Sequence, residues 1–134
     1  MSTNYRNAFI AVAPDCPARS AEAPPTSAKP TVAALQFALI QERPYEMTSD
    51  EVLFAVHATR AGICDADRAE EWDRFFAKDQ ACLRASPLAK RYGWGIHHDE
   101  NQRVALVGID TPAYERLSHR NDLVQKSAMR SARA

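Results

Sequence analysis

Net charge is the first thing this sequence lacks: 17 Lys and Arg residues face 17 Asp and Glu. Neutrality argues against a chain-wide electrostatic grip on nucleic acid or on an anionic membrane surface. Long apolar runs are missing as well. The longest lie near Ala8–Ala13 and Val32–Ile40, well short of the roughly 18 residues a membrane-spanning helix takes. The opening Met1-Ser2-Thr3-Asn4-Tyr5-Arg6-Asn7 has no basic stretch leading into an apolar one. No secretory signal is therefore expected, and the expected location is the cytoplasm. Cysteine is scarce: Cys16, Cys64 and Cys82 are widely spaced with no Cys-x-x-Cys. That is poor material for a disulfide framework or a zinc knuckle, and three free thiols are expected. Gly-x-Ser-x-Gly, Walker and Rossmann patterns are absent, internal repeats too, and no cofactor is implied.

What is present is average for a globular chain: 134 residues, 46% hydrophobic and 25% charged. The expected organisation is one α+β domain over residues 1–118 and a frayed tail over 119–134, where periodicity is weak. Residues 7–13 alternate as a strand with apolar groups on both faces. Five of the eight prolines crowd into 14–30, which therefore reads as a long loop, either functional or mobile.

Helix signals follow. Thr31 precedes an Ala- and Leu-rich run to about Glu42, read as a helix with a strand as the alternative. Arg43-Pro44-Tyr45 ends it. Thr48 and Glu51 have capping-box spacing, with Asp50 adding a second acid in the first turn, and Gly62 closes that helix. Asp65 to about Lys78 reads as a third helix with Trp72, Phe75 and Phe76 on one face. Ser86-Pro87 and Thr111-Pro112 each place a cap before a proline at the first helical position. Between them, 94–98 and 104–109 read as a hairpin across the polar Asp99-Glu100-Asn101-Gln102. The expected fold is a small antiparallel sheet of about three strands, near 7–13, 94–98 and 104–109, packed against four or five helices.

Three blocks carry a resemblance. They are Asn7-Ala8-Phe9-Ile10-Ala11-Val12-Ala13-Pro14-Asp15-Cys16-Pro17, Arg43-Pro44-Tyr45 with Thr48-Ser49-Asp50-Glu51-Val52-Leu53-Phe54, and Arg84-Ala85-Ser86-Pro87-Leu88-Ala89-Lys90-Arg91-Tyr92-Gly93-Trp94-Gly95-Ile96-His97. With their spacing they resemble an uncharacterised family of small bacterial and fungal proteins, over the chain to about residue 118. The resemblance implies a single-domain intracellular protein and carries no activity or catalytic residue.

The zero net charge conceals a polarity: +1 over 1–41, −5 over 42–79 and +4 over 80–134. Complementary packing and solvated faces explain such blocks without any function, yet the basic end holds the chain's least average segment, 84–98. Ser86 at a helix start with Arg84 beside it has the makings of an anion site, unless Ser86 only caps its helix. Arg91, Tyr92 and Trp94 offer cations and flat rings for a heterocycle, unless Trp94 fills the core. His97 and His98 point to opposite faces of a strand, so only one of them could join His57 and a carboxylate around a metal. No metal ligand is assigned on that basis. Cys82, Cys64 and Ser86 are the candidate nucleophiles.

The leading expectation is a protein binding a small anionic or aromatic ligand, or a protein partner, through Arg84, Ser86, Arg91, Tyr92, Trp94, His97 and His57. A small enzyme using His57 with His97 or His98, with or without a metal, is second. A nucleic-acid accessory module is third, the neutral charge arguing against it.

Overall fold

The computed structural model describes residues 2–131. Its class is α+β: five helices and a four-stranded sheet. Strand β1 is Ala8–Ala11, shorter than the expected 7–13. Helix α1 is Val32–Glu42, and the Thr31 hydroxyl accepts from the Ala34 N–H, so this run is a helix and not a strand. Helix α2 is Ser49–Ala61. Both arms of the Thr48–Glu51 box form, and Gly62 ends the helix in a left-handed conformation.

The expected third helix is split. A 3-10 turn at Asp65–Asp67 leads into α3, Arg68–Phe76. A second 3-10 turn, Leu83–Ala85, precedes α4, Pro87–Arg91, capped by Ser86. Strands β2 (Trp94–His98) and β3 (Val104–Gly108) form the hairpin, and α5 (Pro112–Ser118) follows behind the Thr111 cap.

The sheet corrects two expectations. It has a fourth strand, β4 at Val124–Ser127, and its order is β3-β2-β1-β4. β1 pairs antiparallel with β2 but parallel with β4, so the sheet is mixed. Residues 124–127 fall within the tail expected to fray. They are held there by β1: Val124 N–H donates to the Asn7 carbonyl (2.8 Å) and Ala128 N–H to that of Ala11 (2.9 Å). Arg84 Nε adds a bond to the Ser127 carbonyl (2.7 Å). Residues 132–134 of that tail lie outside the described residues.

Strand alternation gives the sheet two unlike faces. Ile10, Ile96 and Val104 face the larger core, with Ile40, Val52, Leu83 and Ala89 of the helical layer. Phe9 and Val107 face the other side, with Leu123 and, from α5, Ala113, Tyr114 and Leu117. Among the described residues α5 is the one helix in this cluster, and it is short. It sits over Gly95, where a side chain would collide with Phe9 (2.5 Å) and Tyr114 (2.8 Å). His97, two residues further along β2 on the same face and paired with Phe9 and Ala105, is left half-covered.

The proline-rich loop is pinned to this scaffold. Glu22 N–H donates to the Tyr92 carbonyl (2.9 Å), Ala21 N–H to Asp110 Oδ1 (3.2 Å), and Trp94 Nε1 to the Glu22 carbonyl (2.8 Å). No helix among the described residues is long and apolar enough to cross a membrane.

Candidate functional site

The gap beside α5 forms a groove of about 540 Å³, lined by Tyr45, His97, Ala113, Arg116, Leu117 and Arg120. Four segments build it. β2 supplies His97, and α5 supplies Ala113, Arg116 and Leu117. Gln125 of β4 fixes the end of that helix, its amide donating to the carbonyls of Leu117 (2.8 Å) and Arg120 (3.1 Å). Tyr45 comes from the turn between α1 and α2, which is stitched to the edge of β3. Tyr45 N–H donates to the Val104 carbonyl, and Val104 N–H to that of Met47, both at 2.9 Å.

Tyr45 has φ +60°, a left-handed backbone that an aromatic residue rarely takes. Its hydroxyl lies 2.8 Å from His97 Nδ1, and the two rings meet edge to face with centroids 5.5 Å apart. Burial raises the Tyr45 pKa above its ordinary value, helped by the Asp99 charge. Burial lowers that of His97, helped by the Arg120 charge and opposed by Asp99 and Asp122. Both groups are thus held neutral near pH 7. Among the described residues the Tyr45 hydroxyl has no other hydrogen-bond partner, and which of the two groups donates depends on the His97 tautomer.

The two arginines differ. Arg120 grips Asp122 through Nε (2.9 Å) and a terminal nitrogen (2.6 Å). That bond raises the Arg120 pKa and lowers that of Asp122. Arg116 is exposed and has no ion pair among the described residues.

The residues singled out from the sequence do not converge. Ser86 is buried, caps α4 through the Leu88 N–H, and donates to Gln36 Oε1, so it is not open to an anion. Arg84 is bonded to the Ser127 carbonyl and accepts from Met129 N–H through its own carbonyl (2.9 Å). Trp94 is half-buried against Phe37 and tied to Glu22. Arg91 and Tyr92 line a separate groove of about 370 Å³ between α1 and α4, with Lys90 and Thr31. His57 lines a third groove, of about 410 Å³, and stacks on Phe75 with ring centroids 4.6 Å apart.

The pairing of His57 with His97 or His98 is therefore corrected. His57 packs in the α2–α3 aromatic cluster, His97 bonds Tyr45, and His98 is fully buried with neither ring nitrogen making a well-formed hydrogen bond among the described residues. Among the described residues no three His, Cys, Asp or Glu side chains stand where they could hold a metal. All three cysteines are free, and Cys82 accepts a hydrogen bond from the Tyr5 hydroxyl (3.1 Å).

Of the groove, the sequence reading found only His97. Arg116 and Arg120 sit in a helix end and tail that carry no motif. Tyr45 had one available signal, its place in the Arg43-Pro44-Tyr45 block.

A model of a family of unknown function (DUF6157) matches residues 1–134, past the residue 118 at which the sequence resemblance stopped. No curated protein and no solved structure matches the chain.

Proposed function

Because the chain belongs to this family, whose description names no activity, we propose from the geometry alone that it binds a small organic anion in the groove between α5 and β2. The observation that carries the reading is the Tyr45–His97 hydrogen bond, held by a strained backbone at the mouth of a groove that also presents an unpaired guanidinium. Strain of this kind costs on the order of 1–3 kcal/mol and persists where the surroundings over-determine it. A tyrosine and a histidine fixed to each other beside a guanidinium give a ligand hydrogen-bonding groups of set orientation. The anionic ligand expected from the sequence is kept, and its place moves from Ser86 and Arg84 to His97 and Arg116.

Titration of the labelled protein with acetate and with inorganic phosphate, followed in amide spectra, tests this. At least one anion is expected to shift Arg116, Leu117 and His97, and Arg116→Ala is expected to abolish the response. Shifts confined to Arg91 and Tyr92, or no shift at tens of millimolar, would sink the reading.

A further inference from the structure

We infer that the anion is a monocarboxylate carrying an apolar body, not a phosphate. This rests on the groove being the binding site. It follows from counting what the groove has left to offer once its internal bonds are made.

Charge comes first. Of the two guanidinium groups, that of Arg120 is already neutralised through two hydrogen bonds to Asp122. Arg116 is the one lining cation with no ion pair among the described residues. His97 is held neutral and adds no charge. The His97 ring feels the Arg120 charge in one direction and those of Asp99 and Asp122 in the other. With Arg120 and Asp122 paired off, a dianion would meet one free lining cation, whereas a single negative charge is matched by Arg116.

Donors come next. Arg116 presents a planar fork that suits the two oxygens of a carboxylate. The Tyr45 hydroxyl and His97 Nδ1 occupy each other at 2.8 Å, which leaves Nε2 as the ring's remaining nitrogen. The guanidinium can only donate, which fits an ionised acceptor.

Room and walls complete the argument. A water's share of liquid volume is about 30 Å³, and a carboxylate head takes roughly two such shares. Most of the groove's 540 Å³ remains. It is walled by Ala113, Leu117 and the ring of Tyr45, surfaces that reward an aliphatic or aromatic tail.

Titrations of the full chain with hexanoate, acetate, hexanol and inorganic phosphate test this, read on the amide signals of Ala113, Arg116 and Leu117. A half-buried four-methylene extension is worth about tenfold, so hexanoate is expected to bind about tenfold tighter than acetate and tighter than phosphate. Arg116→Ala is expected to reduce hexanoate to the level of hexanol. Phosphate binding as tightly as hexanoate would overturn the inference and leave the anion groove standing. Hexanol equal to hexanoate, or hexanoate unaffected by Arg116→Ala, would overturn it too, since the carboxylate would then be idle. Silence from all four probes would overturn both this inference and the groove reading.

Discussion

The Tyr45 hydroxyl stands 2.8 Å from Nδ1 of His97, and Tyr45 reaches it only by adopting φ +60°. The turn spends conformational energy to bring a phenol to a histidine. Replacing Tyr45 with glycine relieves that strain while removing the ring. Stability in urea is expected to change by less than about 1 kcal/mol, because relief and lost contact offset each other. The His97 ring nitrogens are expected to shift markedly in nitrogen NMR spectra as Nδ1 loses its hydroxyl partner. A loss above about 3 kcal/mol would show that Tyr45 is kept for packing instead.

His98 is a second buried imidazole with a different fate. It is fully buried, meets the Tyr5 ring edge to face at 5.4 Å, and neither of its nitrogens makes a well-formed hydrogen bond among the described residues. Burial lowers its pKa from 6.5 to about 4, with the His97 charge acting in the same direction and the nearby Ile96 backbone and the Asp99 charge opposing. The unfolded chain therefore takes up a proton before the folded one does. This contribution to stability is complete above pH 6.5 and is lost as pH falls to about 4, by about 3 kcal/mol. Carboxylates titrate in part of that window, so the difference from His98→Phe isolates the histidine. The variant is expected to show a shallower pH slope, by up to one proton between pH 6.5 and 4.5. Parallel slopes would mean that the folded protein accommodates the charged ring.

Ser86 separates a structural role from a binding one. Its hydroxyl donates to buried Gln36 and caps α4. Ser86→Ala removes a cap worth about 1 kcal/mol and strands a buried amide oxygen at about 1–3 kcal/mol. A destabilisation of roughly 2–4 kcal/mol is expected in thermal or urea unfolding, with anion titrations at Arg116 unchanged. Retained stability would reopen the helix start as a ligand site.

Gly95 sets the distance between α5 and the sheet. A methyl group there would lie 2.5 Å from Phe9 and 2.8 Å from Tyr114, whose hydroxyl also accepts the Val12 N–H at 2.9 Å. Gly95→Ala is expected to cost about 1–3 kcal/mol and to broaden the signals of α5, because the helix must lift. An unperturbed spectrum would show that α5 adapts freely, and the groove's shape would then not be fixed by this contact.

The parts of the fold legible in the sequence are those written by neighbours in the chain. The Thr48–Glu51 box, the Ser86-Pro87 and Thr111-Pro112 starts and the Gly62 stop are encoded within four residues, and each appears where expected. The hairpin is local in the same sense. β4 escaped because Val124–Ser127 is short and mostly exposed, and its reason to be a strand is β1. The groove escaped for a related reason. Tyr45, His97 and Arg116 belong to three elements whose meeting depends on how far α5 extends over the sheet. His97 was found by its residue type, but its partner was sought at His57, which instead stacks on Phe75 between α2 and α3. Ser86 and Arg84 misled because a cap and a cation look alike in sequence whether they are open to solvent or already spent.

The parallel pairing of β1 with β4 also bears on how the molecule comes into being. Ala8 and Val124 are neighbours in the sheet although nearly the whole chain separates them. Contacts that distant carry a large loop-closure cost and are expected to form late. Until then β1, a strand of Ala, Phe and Ile, shows an open edge to whatever strand is near. The step that ends this exposure is the arrival of four mostly polar residues, and folding yield at high concentration should hinge on how quickly they dock.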